Sequence, residues 1–380
     1  MTPPNPVLTT IIFVFALQAI VLSILLLVKR PRRQANIFLA MVVFFIALMA
    51  LNNALVNVMM ASGNFDLFRY VQLELLFGIG PAIYFYTKSI TNPDFKYSKK
   101  DLIHFIPVIL EFVFYRTAFY RLGADGMYQT PAHPYTKIYL AEQWLGILSI
   151  SVYTFLSLRL LYLYQVWLKQ RYSNLEKRSL DWLKIPVIVY ASFWIGWTLL
   201  TEIDRFVFDR SLREVYFLPA FVGLAAVTYW IGIKGYIRSK YDSLAYAKGR
   251  TKGSGDAPDP ELAKRITSLM EQQHPYLNPD LDLSGLSELL EMNPRLVSQT
   301  INRTFSRNFY EFVNQYRVEA FKKRVQEPGT EKLTLLGHAY ECGFKSKSTF
   351  NDVFKKNTGK TTSAYARELK KMSENMHSDE

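Results

Sequence analysis

Twenty-two consecutive residues near the amino terminus, 7–28, carry no charged side chain. As a helix rising 1.5 Å per residue, this run is roughly 33 Å long, enough to cross a ~30 Å hydrocarbon layer. No basic residue precedes it and no small-residue cleavage pattern ends it, so it reads as a retained span and not as a removable signal. Comparable segments follow at about residues 35–60, 66–90, 101–120, 138–168, 183–203 and 214–237. Seven spans are therefore expected. The third and fourth are the most polar, with Arg69, Glu74, His104, Glu111 and Arg116 within or beside them.

The connecting loops test this division independently. Loops on one side hold nineteen Lys and Arg residues, among them Lys29, Arg30, Arg32, Arg33, Lys99, Lys100, Lys169, Arg171, Lys177 and Arg178, against seven on the other. Basic loops stay in the cytoplasm, which places the amino terminus outside and the carboxyl terminus inside. An odd number of spans agrees with that. A single cysteine, Cys342, excludes an intramolecular disulfide framework and a Cys-rich zinc site. No metal site and no cofactor are expected.

Beyond residue 240 the composition changes. Residues 249–260 are rich in Gly, Pro and small polar side chains and read as a flexible connection. Residues 261–273 follow with Leu262, Ile266, Leu269 and Met270 at helical spacing, a short amphipathic helix that must pack on something. Residues 293–371 then carry 16 basic and 7 acidic side chains, a net +9 over a stretch without a long apolar run. Such a basic balance suits either a solvated face or a nucleic-acid surface.

Helix signals favour the second. Residues 285–292 read as a short helix capped by Ser284, and Asn293 caps a following helix with Pro294 at its first position. That second helix buries Val297 and Ile301, with Leu296 and Thr304 as further candidates, and turns Arg295, Ser298, Gln299, Asn302 and Arg303 outward. Two short helices across a tight turn describe a helix-turn-helix. A shift of 53 residues lays Val297 on Phe350 and Ile301 on Phe354, in a second such unit with Gly343 at its turn and Ser346 as its cap. Residues 308–327 form one long helix between the two units.

The strings VSQTINRTF, NFYEFVNQYRVEAFKKRV and AYECGFKSKSTFNDVFKKNTGKT, with the spacing between them, resemble the AraC-type DNA-binding domain over residues 275–371. The whole chain is similar to membrane-anchored AraC-type regulators. The resemblance implies an all-α chain: a seven-helix transmembrane sensor bundle (1–240), a cytoplasmic linker with a short amphipathic helix (241–274), a double helix-turn-helix domain (275–372) and a disordered tail (373–380). It implies a bacterial inner-membrane, multi-pass protein that binds double-stranded DNA in two successive major grooves. Base-facing positions carried over are Arg295, Ser298, Gln299 and Asn302 in the first unit, and Lys347, Ser348, Thr349 and Asp352 in the second. Arg303, Lys355 and Lys356 are expected to anchor phosphates. Asp352, where the family often has Arg, has two readings, an acceptor for cytosine N4 or a residue that caps or pairs with Lys356. Thr362 and Ala366 depart from the family's usual Pro and Arg, and His338 from its aliphatic residue, so the target sequence cannot be carried over.

The competing class is a membrane transporter or enzyme with a regulatory DNA-binding tail. Its motifs are missing: there is no Gly-rich phosphate loop, no His-Glu-x-x-His, and the helix break at Gly78-x-Gly80-Pro81 has no counterpart in a second half. The chain is expected not to be an enzyme. Expected partners are the lipid bilayer, an unidentified small-molecule or membrane signal, RNA polymerase, and a second copy of the chain joined through the apolar stripe of residues 261–273. Acidic groups expected in the outward half make Glu74, Glu111 and Arg116 the candidate signal pocket.

Overall fold

The computed structural model describes residues 6–29, 34–63, 75–92, 94–113, 134–176, 178–208, 212–238, 260–327 and 333–369. Among these residues the regular structure is helical, apart from one isolated antiparallel bridge between Tyr172 and Asp282. It divides into two compact units.

The first unit is built from α1 (Pro6–Val28), α2 (Gln34–Ser62), α3 (Ile79–Thr91), the first part of α4 (Pro134–Arg171), α5 (Asp181–Val207) and α6 (Arg213–Arg238). The pairing of α1 with α2 shows how uncharged helices find one another without a hydrophobic driving force. Ala16, Ala19, Ala40, Ala47, Ala50 and Ala54 are buried, so the backbones approach closely, and Ser23 Oγ donates to Ala40 O at 2.9 Å. The opposite face of α1 leaves Val7, Ile11, Val14, Leu17, Val21 and Leu25 exposed. A long apolar face left uncovered is what a lipid-facing helix presents. In α6, a Cβ at Gly235 would lie 2.2 Å from Leu39 Cδ2, so a larger residue would push α6 off α2.

Five helices are long and apolar enough to cross a membrane: Pro6–Val28, Gln34–Met59, Ala141–Arg171, Asp181–Val207 and Pro219–Ile237. They coincide with the first, second, fifth, sixth and seventh expected spans. Of the third expected span only Leu76–Gly78 and α3 are described, and of the fourth only the 3-10 turn Lys99–Phe105 and helical residues 106–113. Residues 64–74 and 114–133, which complete those two spans, lie outside the described residues.

The second unit combines Tyr164–Ser179 with the carboxyl-terminal part of the chain. Its helices are α7 (Pro260–Gln273), α8 (Leu283–Leu289), α9 (Pro294–Thr304), α10 (Phe309–Gln326), α11 (Leu335–Glu341) and α12 (Lys347–Thr358). Two cores share α10. Phe309, Phe312 and Val313 join Val297, Ile301, Leu283 and Leu286 in the first. Val318 and Phe321 join Ala339, Cys342, Phe344, Phe350 and Phe354 in the second. The repeat pairs Val297/Phe350 and Ile301/Phe354 are all buried, as their shared register requires.

Three details differ from the sequence reading. The cap of α8 is Asp282, whose Oδ1 accepts from Gly285 N at 2.9 Å, and not Ser284. Two neighbouring residues both have capping chemistry, and the carboxylate offers the stronger acceptor. In α9, Thr300 is buried, whereas Leu296 and Thr304 are exposed. The third concerns α7: Leu262, Ile266, Leu269 and Met270 are buried in the first core, against Leu286, Val297 and Phe312 among others. Its apolar stripe is filled within the same chain, so it leaves nothing for a second copy to cover.

Candidate nucleic-acid interface

Each recognition helix is fixed at its start by a side-chain cap. Asn293 Oδ1 accepts from Arg295 N at 2.8 Å with Pro294 in the first turn of α9. Ser346 Oγ accepts from Thr349 N at 3.3 Å at the start of α12. Helical periodicity then sorts the side chains. With Val297 and Ile301 inward, Arg295, Asn302 and Arg303 are exposed and Ser298 and Gln299 half-buried. With Phe350 and Phe354 inward, Lys347, Ser348, Asp352, Lys355 and Lys356 are exposed and Thr349 is half-buried. Both helices therefore present their candidate residues on a polar face, opposite the residues that hold them on α10.

Local bonds distinguish these residues further. Asn302 Nδ2 donates to Ser298 Oγ at 3.4 Å, one turn apart. Thr349 belongs to the cap network, since Ser346 Oγ also donates to Thr349 Oγ1 at 3.0 Å. Lys356 Nζ stands 2.6 Å from Glu311 Oε1, on α10. Although its partial burial opposes this, the Lys356 bond and charge and the Asn308 N–H hold the Glu311 carboxyl below the usual carboxylate range. The acidic neighbour of Lys356 is thus Glu311. Asp352 lies close enough to Tyr310 for its charge to join burial in pushing that phenol up to about 12.

The turns are equally specific. Gly343 has φ +90°, in the left-handed region, and a Cβ there would meet Tyr276 O at 2.5 Å. Only glycine fits such a position without strain.

The helix pair α8–α9, the bridging helix α10 and the pair α11–α12 thus reproduce a doubled helix-turn-helix. A family model described as "Helix-turn-helix domain" matches residues 286–368. This segment is an AraC-type helix-turn-helix domain. It begins within α8 and covers α9, the bridging helix, the second helix pair and every candidate DNA-binding residue named above. Neither a curated protein nor a solved structure matches the chain. An AraC-type domain makes this chain a DNA-binding regulator of transcription, with double-stranded DNA as its partner.

Two buried residues of the AraC-type domain escaped the sequence reading, Asn314 and Arg317. Arg317 donates through Nε to Tyr276 O at 2.8 Å and through Nη2 to Asn278 O at 2.9 Å. Burial lowers its guanidinium to about 10, which leaves it charged at neutral pH. The signal available in the sequence was a basic residue between Tyr316 and Val318 on a helix that must be apolar on two sides.

Of the candidate signal pocket, Glu74 and Arg116 lie outside the described residues. Glu111 is buried, and its carboxylate accepts from Leu76 N at 2.7 Å and Phe77 N at 3.2 Å. Glu142, on α4, is an acidic neighbour of this group. Farther along the chain, Asp204 Oδ1 accepts from Leu212 N at 2.9 Å and Glu202 pairs with Arg205 at 3.1 Å.

Proposed function

We propose that the chain is a membrane-anchored, sequence-specific transcription regulator. Its apolar helices receive a signal, and the AraC-type domain converts that signal into occupancy of a DNA site. The observation that carries this reading is the union, in one chain, of five helices with lipid-suited length and a doubled recognition surface. The bundle lies in the bacterial inner membrane as seven spans, with the amino terminus outside and the AraC-type domain in the cytoplasm, where DNA and RNA polymerase are. The last turns of α4 and the loop after it cluster with the AraC-type domain, and this supports the orientation, because they hold Lys169, Arg171 and Arg178. Glu74, Glu111 and Arg116 are the residues assigned to receive that signal.

Within the interface, Arg295, Ser298, Gln299 and Asn302 read bases from α9, while Lys347, Ser348, Thr349 and Asp352 read from α12. Arg303, Lys355 and Lys356 neutralise phosphates, Lys356 by exchanging Glu311 for a phosphate oxygen. The test compares two variants of the full chain on a panel of duplexes. Gln299→Ala should cost about 1–3 kcal/mol at one base step and relax discrimination there. Lys355→Ala should weaken all duplexes alike and flatten the salt dependence. Equal losses on every duplex for both variants would remove Gln299 from base reading.

A further inference from the structure

The loop between α4 and α5 has a seat in the AraC-type domain's unit. Helix α4 has 38 residues and would be roughly 57 Å long, well beyond a ~30 Å hydrocarbon core. Its last turns, from Tyr164, and the loop through Ser179 cluster with the DNA-binding part of the chain. The loop is braced within itself. Arg178 lies over the Tyr172 ring at 4.3 Å, Tyr164 Oη donates to Arg178 O, and Asn174 Oδ1 accepts from Glu176 N.

At its centre Ser173 is 1% exposed. Tyr172 forms the bridge with Asp282, and both Ser173 N and Ser173 Oγ donate to Leu281 O. Ser173 O accepts from Asn314 Nδ2 at 3.0 Å and from Arg317 Nη1 at 3.3 Å. Ser173 Oγ accepts from Arg317 Nη2 at 3.1 Å. Arg317 has five N–H donors. Their acceptors are Tyr276 O, Asn278 O, Asn314 Oδ1 and the two oxygens of Ser173. Two of the five thus go to the loop, and all five acceptors are neutral oxygens.

The location matters as much as the count. Tyr276 and Asn278 lead into the first helix pair, Arg317 sits between the two cores on α10, and Gly343 in the turn of the second pair abuts Tyr276 O and Arg317 Nε. Lys345, two residues on, pairs with Asp280. The loop therefore enters at the joint where the two helix-turn-helix pairs meet.

We propose that this joint is the port through which the membrane part addresses DNA binding: seating Ser173 on Asn314 and Arg317 fixes the two recognition helices in the relation that two successive grooves require, and withdrawing it loosens that relation. The proposal rests on the reading of the chain as a membrane-anchored regulator and names the segment that carries its signal. A buried guanidinium that loses two acceptors must rehydrate or move. A signal that shifts the end of α4 would thus change DNA affinity without touching a base-reading residue.

The experiment uses the full chain in lipid nanodiscs and a duplex recovered from a random pool by the wild-type protein. A short bifunctional maleimide should join Tyr172→Cys to Asp282→Cys, and the joined protein should hold the duplex at least as tightly as wild type. Ser173→Trp cannot fit a site that is 1% exposed and should expel the loop. It should weaken the duplex about tenfold or more, the scale of a lost charge-assisted bond. Cys342 should stay shielded from maleimide in that variant, which reports that the second helix pair remains folded. Failure of the Tyr172→Cys/Asp282→Cys pair to cross-link, or Ser173→Trp binding within twofold of wild type, would overturn the proposal. If wild type retains no duplex at all, the DNA-binding reading fails instead, and the cross-link still reports whether the loop is seated.

Discussion

A side chain's neighbours decide whether its sequence pattern can be trusted. Val297, Ile301, Phe350 and Phe354 were legible because apolar residues three and four apart in a short capped helix have one way to face. In the first unit their positions turned Arg295, Ser298, Gln299, Asn302 and Arg303 outward, whereas the second unit's set came from the resemblance. Arg317 was not legible, because a charged residue in a period reads as surface, and four of its five acceptors come from residues 39 to 144 positions away. Cys342 is 2% exposed, in the second core. Burial pushes its thiol up to about 11, so near pH 8 the reactive thiolate is scarce. Alkylation of the native protein at pH 8 should be far slower than that of a free thiol and should become fast only when the second helix pair unfolds. Rapid labelling under native conditions would contradict the packing described for this core.

Whole elements were predicted where their ends carry chemistry. Asn293-Pro294, Asn308, Thr334 and Ser346 each start a helix with a side-chain acceptor in place. Helix α7 was legible as an element but not as a contact, since an amphipathic stripe says that something covers it and not what. The cover is the first core, in which Leu262 and Ile266 are 2% and 0% exposed. The double variant Leu262→Ser/Leu269→Ser should therefore destabilise the first helix pair by several kcal/mol, roughly 2–5 for each large-to-small core change. Protease resistance and DNA binding should fall together at unchanged oligomeric state. A shift from dimer to monomer with stability intact would restore the stripe to an intermolecular role. The third and fourth spans were the least regular in sequence, and the described part of the third is a 13-residue helix after a 3-10 turn. Polar residues such as Glu111 interrupt the apolar pattern there, and its carboxylate serves the amides of Leu76 and Phe77 at that turn.

At the scale of the molecule, charge and hydropathy along the chain divide a lipid-suited half from a basic half, and the two compact units follow that division with one exception. Residues Tyr164–Ser179, the last turns of α4 and the loop before α5, belong with the DNA-binding part. Sequence distance hid this, since nothing in the loop's composition names a partner more than a hundred residues away. The seven-span reading with a cytoplasmic carboxyl terminus has a direct check. A reporter active only outside the membrane should be silent when fused after residue 250 and active when inserted near Gly126. Reversed activities would invert the topology.

The central claim is that one chain both lives in a membrane and reads DNA sequence through two helices on one bridge. Its most direct test is selection from a random duplex pool by the full chain in lipid nanodiscs, repeated at low and physiological salt. The account predicts recovery of a recurrent sequence with two half-elements about 10 base pairs apart, and binding that falls steeply as salt rises. Uniform recovery of all sequences, or a single half-element that Asp352→Ala and Lys347→Ala leave unchanged, would contradict it.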